Sequence, residues 1–157
     1  MKLEFRKTID EDIDILLKIQ SQVFQDDLIK YEDFDTNPAC ETFEKLQDNI
    51  RKYQHYTILD SEIKGIIGAI DFRGDNERMH ISKLFVHEEY QNKGIGTSSM
   101  LFIENQFPNV KLWTLYTPHL SFRNHHFYEK FGYLKVKEVQ LTPKLKLFKY
   151  QKTISIA

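Results

Sequence analysis

Between His55 and His87 the chain reads "HYTILD", then "IKGIIGAIDFRG", then "RMHISKLFVH", three runs rich in β-branched and aromatic residues. The breaks between them, at Asp60-Ser61 and Asp75-Asn76, leave room only for turns. Strands joined by short polar turns pair antiparallel, so any fold open to this chain must be built around an antiparallel meander. Before the meander, "KLEFRK" alternates as a short strand and "TIDE" reads as a capping box, Thr8 with Glu11. Ile13, Leu16, Leu17, Val23 and Phe24 then recur at helical spacing, and Asp10, Glu11 and Asp12 suit the positive end of that helix. A second helix is expected from Asn37-Pro38, with Phe43, Leu46 and Ile50 as its buried stripe. After the meander come a helix to about Gln106, a strand "VKLWTLYT", and a helix "SFRNHHFYEKF" stopped by Gly132. Two closing strands, "YLKVKEVQ" and "KLKLFKY", are separated at Thr142-Pro143. The order β-α-α-β-β-β-α-β-α-β-β predicts an α/β (α+β) fold. Its mixed, mostly antiparallel central sheet has about seven strands and is flanked by four helices.

One stretch resists explanation by packing. In "YQNKGIGTSSM", Gly94 and Gly96 stand where a strand gives way to an apolar helix, and glycine is a poor residue with which to begin one. Two readings are open: the chain simply turns, or backbone N–H groups must lie bare against an anion. A helix N-terminus following a strand is a ready anion site, and glycine lets a ligand approach without meeting a Cβ. Lys93 adds a cation. The pattern is neither the phosphate loop, which needs Gly-Lys-Ser/Thr, nor the dinucleotide fingerprint, so the anion would belong to another carrier.

"LFVHEEYQNKGIG" resembles the acyl-CoA-binding segment of the GCN5-related N-acetyltransferases (GNAT family), in which Gln/Arg-x-x-Gly-x-Gly/Ala opens a helix after an apolar strand end. "FYEKFGY" is similar to the family's late helix and following turn, and the order of elements agrees from about residue 2 to 151. The resemblance implies the acyl-CoA N-acyltransferase fold, in a single domain over 1–157. It also implies acetyl-CoA as co-substrate and transfer of acetyl to a primary amine. By it, the N–H groups of Gln91, Asn92, Lys93, Gly94, Ile95, Gly96 and Thr97 would hold the coenzyme pyrophosphate, and Leu84, Phe85 and Val86 would pair with the pantetheine arm. A bulge in that strand would splay it from "VKLWTLYT" and open a slot for the thioester.

On the late helix, Ser121, Asn124 and Tyr128 share one face. That face either meets solvent or lines the slot. The resemblance makes Tyr128 the proton donor to the departing thiolate, a feasible step for a phenol near 10 and a thiol near 8.5. The family often has asparagine at Ser121, and Asn124, one turn on, is the alternative pantetheine contact. His80 stands where catalytic members commonly carry Glu or His, with Ser82 placed to hold a relay water. Its other reading is a half-exposed strand residue. His125 and His126 read as structural or solvent-facing.

The remaining constraints are mostly exclusions. At 157 residues, 41% hydrophobic and 13% aromatic, the chain can bury a core. A net charge of −1 argues against nucleic acid as the main partner. The lone Cys40 excludes an internal disulfide and lies outside both motifs, so no acyl-cysteine is expected. No His, Asp or Glu spacing argues for a metal. No apolar run suits a signal peptide or membrane span, and a cytoplasmic location is expected. The acidic "DDLIKYEDFDTN", with Asp26, Asp27, Glu32, Asp33 and Asp35, reads as a loop that either attracts a cationic amine or is merely solvated. Lys135, Lys137, Lys144, Lys146, Lys149 and Lys152 make the final strands basic. Residues alone do not name the acceptor, a small molecule or a peptide, nor the oligomeric state, although the family often pairs as homodimers. The alternative to an enzyme is a non-catalytic acyl-CoA-binding sensor, which needs neither His80 nor Tyr128.

Overall fold

The computed structural model describes residues 1–155. Its elements run β1 (Leu3–Lys7), α1 (Ile13–Val23), α2 (Gln25–Tyr31), α3 (Phe43–Lys52), β2 (Gln54–Asp60), β3 (Gly65–Gly74), β4 (Arg78–Val86), α4 (Ile95–Gln106), β5 (Leu112–Pro118), α5 (Phe122–Lys130), β6 (Leu134–Gln140) and β7 (Lys146–Thr153). The strands form one seven-stranded sheet in the order β1-β2-β3-β4-β5-β7-β6. The β2-β3-β4 meander is its centre, β4 and β5 are its parallel pair, and the other pairs are antiparallel.

Alternation along β3 explains how both faces become covered. Ile70 and Phe72 point toward α4, joining Met79, Ile81, Met100, Ile103, Trp113 and Tyr150 in the larger core cluster. Ala69 points the other way and meets Ile13, Leu16 and Ile19 of α1, Leu46 of α3 and Phe85 of β4. Fully burying one such aliphatic side chain stabilises by about 1.5–3 kcal/mol.

Four expectations shift. The described residues form five helices rather than four, because the acidic stretch after Phe24 is partly helical. Phe24 leaves helical geometry, the chain re-enters it as α2, and Glu32 ends that helix in the left-handed region at φ 53°. Asn37-Pro38 opens only a single 3₁₀ turn, with the Asn37 side chain accepting from the Ala39 N–H at 2.7 Å. The helix proper starts at Phe43, where Thr42 accepts from the Lys45 N–H, and Phe43 itself is exposed. The predicted Thr8–Glu11 box is replaced one register on: Asp12 accepts from the Ile9 N–H at 3.0 Å, while Thr8 turns inward to His55 and Thr57.

Candidate active site

The β4 strand carries one residue too many for its neighbour. Asp71 pairs with Lys83 and Phe72 with Ile81, so Ser82 is bulged out of the ladder. Pairing with β5 runs only from Arg78 opposite Leu112 to Ile81 opposite Leu115. Beyond that point β4 and β5 part, leaving Ser82 to Val86 with an edge that no strand among the described residues covers. An open edge in mid-sheet offers backbone hydrogen bonds to an extended guest. A cleft of about 1060 Å³ runs along this split, with walls from α1, α2, β4, the loop after it, and α5.

The loop after β4 ends in a set of free donors. The Gln91 N–H is spent on the Glu88 carbonyl at 3.3 Å, and the helical ladder resumes with Ser98 donating to Gly94. Among the described residues, no N–H from Asn92 through Thr97 donates a hydrogen bond. Asn92 and Gly94 are left-handed, at φ 63° and 78°, and Gly94 caps α4 with no side-chain acceptor. The partial positive charge of the helix start therefore faces the cleft unopposed. The two glycines turn out to have separate reasons. A Cβ on Gly94 would meet nothing within 4 Å, so there the backbone conformation selects glycine. At Gly96 a Cβ would lie 3.1 Å from Phe127 Cζ, so there glycine lets α4 pack close against α5.

Sequence reasoning missed the residue that ties these parts together. Arg123, on the first turn of α5, donates to Asn92 Oδ1 at 2.6 Å and to Gln91 Oε1 at 3.3 Å. Gln91 in turn donates to the Val86 carbonyl at 3.0 Å, fastening the loop to the strand end. Arg123 had no signal beyond its charge, since its partners lie 31 and 32 positions away in sequence. Lys93 is not in the cleft wall; its ammonium lies 5.4 Å from the Tyr90 ring centroid.

Ser121, Asn124 and Tyr128 all line the cleft, as their shared helical face requires, together with Leu84, Phe85, Val86, Gln91, Asn92, Gly94, Ile95, Gly96 and Thr97. Asn124 donates to Thr117 Oγ1 at 3.4 Å. Tyr128 is half-buried, and desolvation pushes its phenol up to about 12. Its hydroxyl therefore stays protonated through the neutral range. His126 also lies in the wall, whereas His125 is buried with Nε2 on the Pro118 carbonyl at 2.8 Å.

His80 is not among the residues that line the cleft. Its Nδ1 is 2.8 Å from Thr114 Oγ1, and its ring tilts over Tyr116. Burial, followed by the charges of Arg73 and Lys149, holds it below the usual histidine range, so it is neutral at pH 7. Ser82 accepts from Arg73 Nε at 3.0 Å. Beneath the bulge lies a buried ionic group: Lys83 Nζ stands 2.9 Å from Glu41 and 3.1 Å from Asp71.

The acidic stretch does not form one cationic receptor. Asp33 is buried and accepts from Thr36, and Glu32 pairs with Lys144. Asp26 and Asp27 reach the cleft, where desolvation raises the Asp27 pKa. Tyr31 is buried against His119, and Phe34 is exposed. Among the described residues, no group of His, Cys, Asp and Glu could hold a metal ion, and no helix is long and apolar enough to cross a membrane.

Known proteins share this architecture. A stretch of 67 residues is 36% identical to the uncharacterized protein YrkN of Bacillus subtilis (strain 168), covering 41% of this chain and 36% of that protein. The chain thus spans little more than a third of that relative's length. The PaiA N-acetyltransferase of Thermoplasma acidophilum, solved in complex with coenzyme A, superposes with a TM-score of 0.75 at 20% identity, over 98% of this chain and 100% of that one. Spermidine N-acetyltransferase of Vibrio cholerae, solved with coenzyme A and spermine, gives 0.75 at 14% identity, over 96% and 95%. At these identities the likeness speaks for the fold, which is that of the acyl-CoA N-acyltransferases. The family model for the acetyltransferase (GNAT) family matches residues 20–133, which include the split strand, the donor loop and the late helix. The chain belongs to that family.

Proposed function

We propose that the protein moves the acetyl group of acetyl-CoA directly onto a primary amine. The observation that carries this is one continuous cleft: bare N–H groups at Asn92–Thr97 lead to the uncovered edge of β4 and then to the Tyr128 phenol. The donors and the helix start suit a diphosphate. The open edge suits the amide-bearing pantetheine arm, through Leu84, Phe85 and Val86. Ser121 and Asn124 border the same arm, and the coenzyme A in both structural relatives supports such a ligand.

In the reaction the amine nitrogen attacks the thioester carbonyl, the C–N bond forms, the C–S bond breaks, and the amine gives up a proton. An alkylammonium near 10.4 is neutral only about once in a few thousand molecules at pH 7, so a base is needed. His80, held neutral on the acceptor side of the split, takes that proton directly or through water. At the sulfur, burial changes what Tyr128 can do. Full transfer from a phenol at about 12 to a thiolate near 8.5 is uphill by roughly 5 kcal/mol. Tyr128 therefore acts as a hydrogen-bond donor to the leaving sulfur, stronger in the transition state than in the ground state.

The test is thiol release from acetyl-CoA across a panel of amines, with calorimetry of coenzyme A binding alongside. Amine-dependent release that falls in His80→Ala agrees with the reading. Tight coenzyme binding with no amine consumed contradicts it and favours a sensor.

A further inference from the structure

On the face of the sheet past α1 and α3, one charged side chain is held in place without a charged partner. Arg73 of β3 stands opposite His80 in the ladder. Its guanidinium lies 3.9 Å from the centroid of the Tyr53 ring, and its Nε donates to Ser82, the bulged residue at the split. Among the described residues Arg73 forms no ion pair, and neither Nη atom donates a hydrogen bond. Stacking fixes the plane, the Nε bond fixes rotation within it, and the forked end is left free. A guanidinium so held is organised in advance for a planar carboxylate, which it binds through two parallel hydrogen bonds.

The adjoining cavity gives this fork a context. It measures about 160 Å³ and includes Asp35, Lys45, Arg73 and Ser82 in its wall, with Glu41, Asp71 and Lys83 at its base. The basal carboxylates share Lys83, and the whole lining sets three carboxylates, Asp35, Glu41 and Asp71, against three cations, Lys45, Arg73 and Lys83. A polycation finds no net opposite charge here, whereas an amine bearing its own carboxylate matches both signs. The volume, about five times a water molecule's share of the liquid, suits a few heavy atoms.

We propose that Arg73 receives the carboxylate of a small amino-acid-like acceptor whose amine is directed toward the split between β4 and β5. The inference rests on the acetyl-transfer reading and names its substrate class. Seated on Arg73, such an acceptor would lie beside the residue paired with it across the ladder, His80.

The experiment compares thiol release for matched pairs of amines, amino acids of increasing amine-to-carboxylate separation and their decarboxylated counterparts, with spermidine as a polycation. It uses the full chain and the variants Arg73→Gln and Arg73→Lys. Expected is a KM lower by about tenfold for the carboxylate-bearing member of at least one pair. Arg73→Gln should abolish that advantage and Arg73→Lys keep part of it, with coenzyme A affinity unchanged throughout. Equal use of both members, a preference that survives Arg73→Gln, or preferred use of spermidine overturns the inference and leaves acetyl transfer standing. Release from no amine while coenzyme A still binds removes the transfer reading, and the inference falls with it.

Discussion

The buried group beneath the bulge makes the fold sensitive to mild acid through one residue, His55. Its Nδ1 is 2.6 Å from Thr8 Oγ1, and its Nε2 has no hydrogen-bond partner among the described residues and stands 3.7 Å from Asp71. Burial, then the charge of Lys83, lowers its pKa from 6.5 to about 3, against smaller opposing effects of Glu41 and Asp12. The sign follows from proton binding: the unfolded chain takes up a proton below 6.5 and the folded chain does not, so stability falls with pH across that interval. From those two values the loss at pH 5 is about 2 kcal/mol relative to pH 8. Between pH 5 and 6.5 ordinary carboxylates remain ionised, which isolates the histidine. His80, also lowered, adds to the same slope, and Asp71, which desolvation raises, opposes it. Comparison with His55→Asn separates the contribution, because His80 and Asp71 are common to both proteins. Urea unfolding at half-unit pH steps should give a slope that is shallower in the variant by about 2 kcal/mol over this range. Identical slopes in the two proteins would refute the reasoning, whatever the variant's absolute stability.

Other perturbations test other parts of the site. Tyr128→Phe should lower kcat roughly 10- to 100-fold, the worth of a hydrogen bond to a charged atom, with coenzyme A affinity intact by calorimetry. Gly96→Ala places a methyl 3.1 Å from Phe127; forcing α5 away should cost about 1–3 kcal/mol in chemical denaturation and raise the KM for acetyl-CoA. Lys83→Met strips the shared cation from Glu41 and Asp71, and should destabilise by about 3–5 kcal/mol at pH 7, with partial recovery at pH 5 as the carboxyls protonate.

What was legible beforehand followed from local signals. The alternation of Tyr56, Ile58, Ile70 and Phe72, and the turns at Asp60 and Asp75, specify strands and their antiparallel pairing without reference to the rest of the chain. Ser121, Asn124 and Tyr128 share a face by helical geometry alone, and they do line the cleft. The misses have equally physical causes. α2 is only seven residues long and follows a break at Phe24, too brief for periodicity to register. Asn37-Pro38 carries good start signals, but the chain needs the extra turn so that Glu41 can reach Lys83 and Gln20. Thr8 and Glu11 have the spacing of a capping box, yet a buried hydroxyl is worth more opposite His55 and Thr57. Gly96 also has a packing reason that the motif did not announce, because a Cβ there would meet Phe127, thirty-one positions on. Arg123 and Arg73 derive their significance from partners distant in sequence, and no pattern along the chain announces either.

The central claim is that the main-chain N–H groups from Asn92 to Thr97 hold coenzyme A. Its most direct measurement is a nitrogen-15 correlation spectrum of the labelled protein titrated with coenzyme A. The account predicts that these amide resonances move together and saturate at one stoichiometric equivalent, with Gly94 among the largest shifts. Saturable binding that leaves these amides unmoved, or no binding, would contradict it.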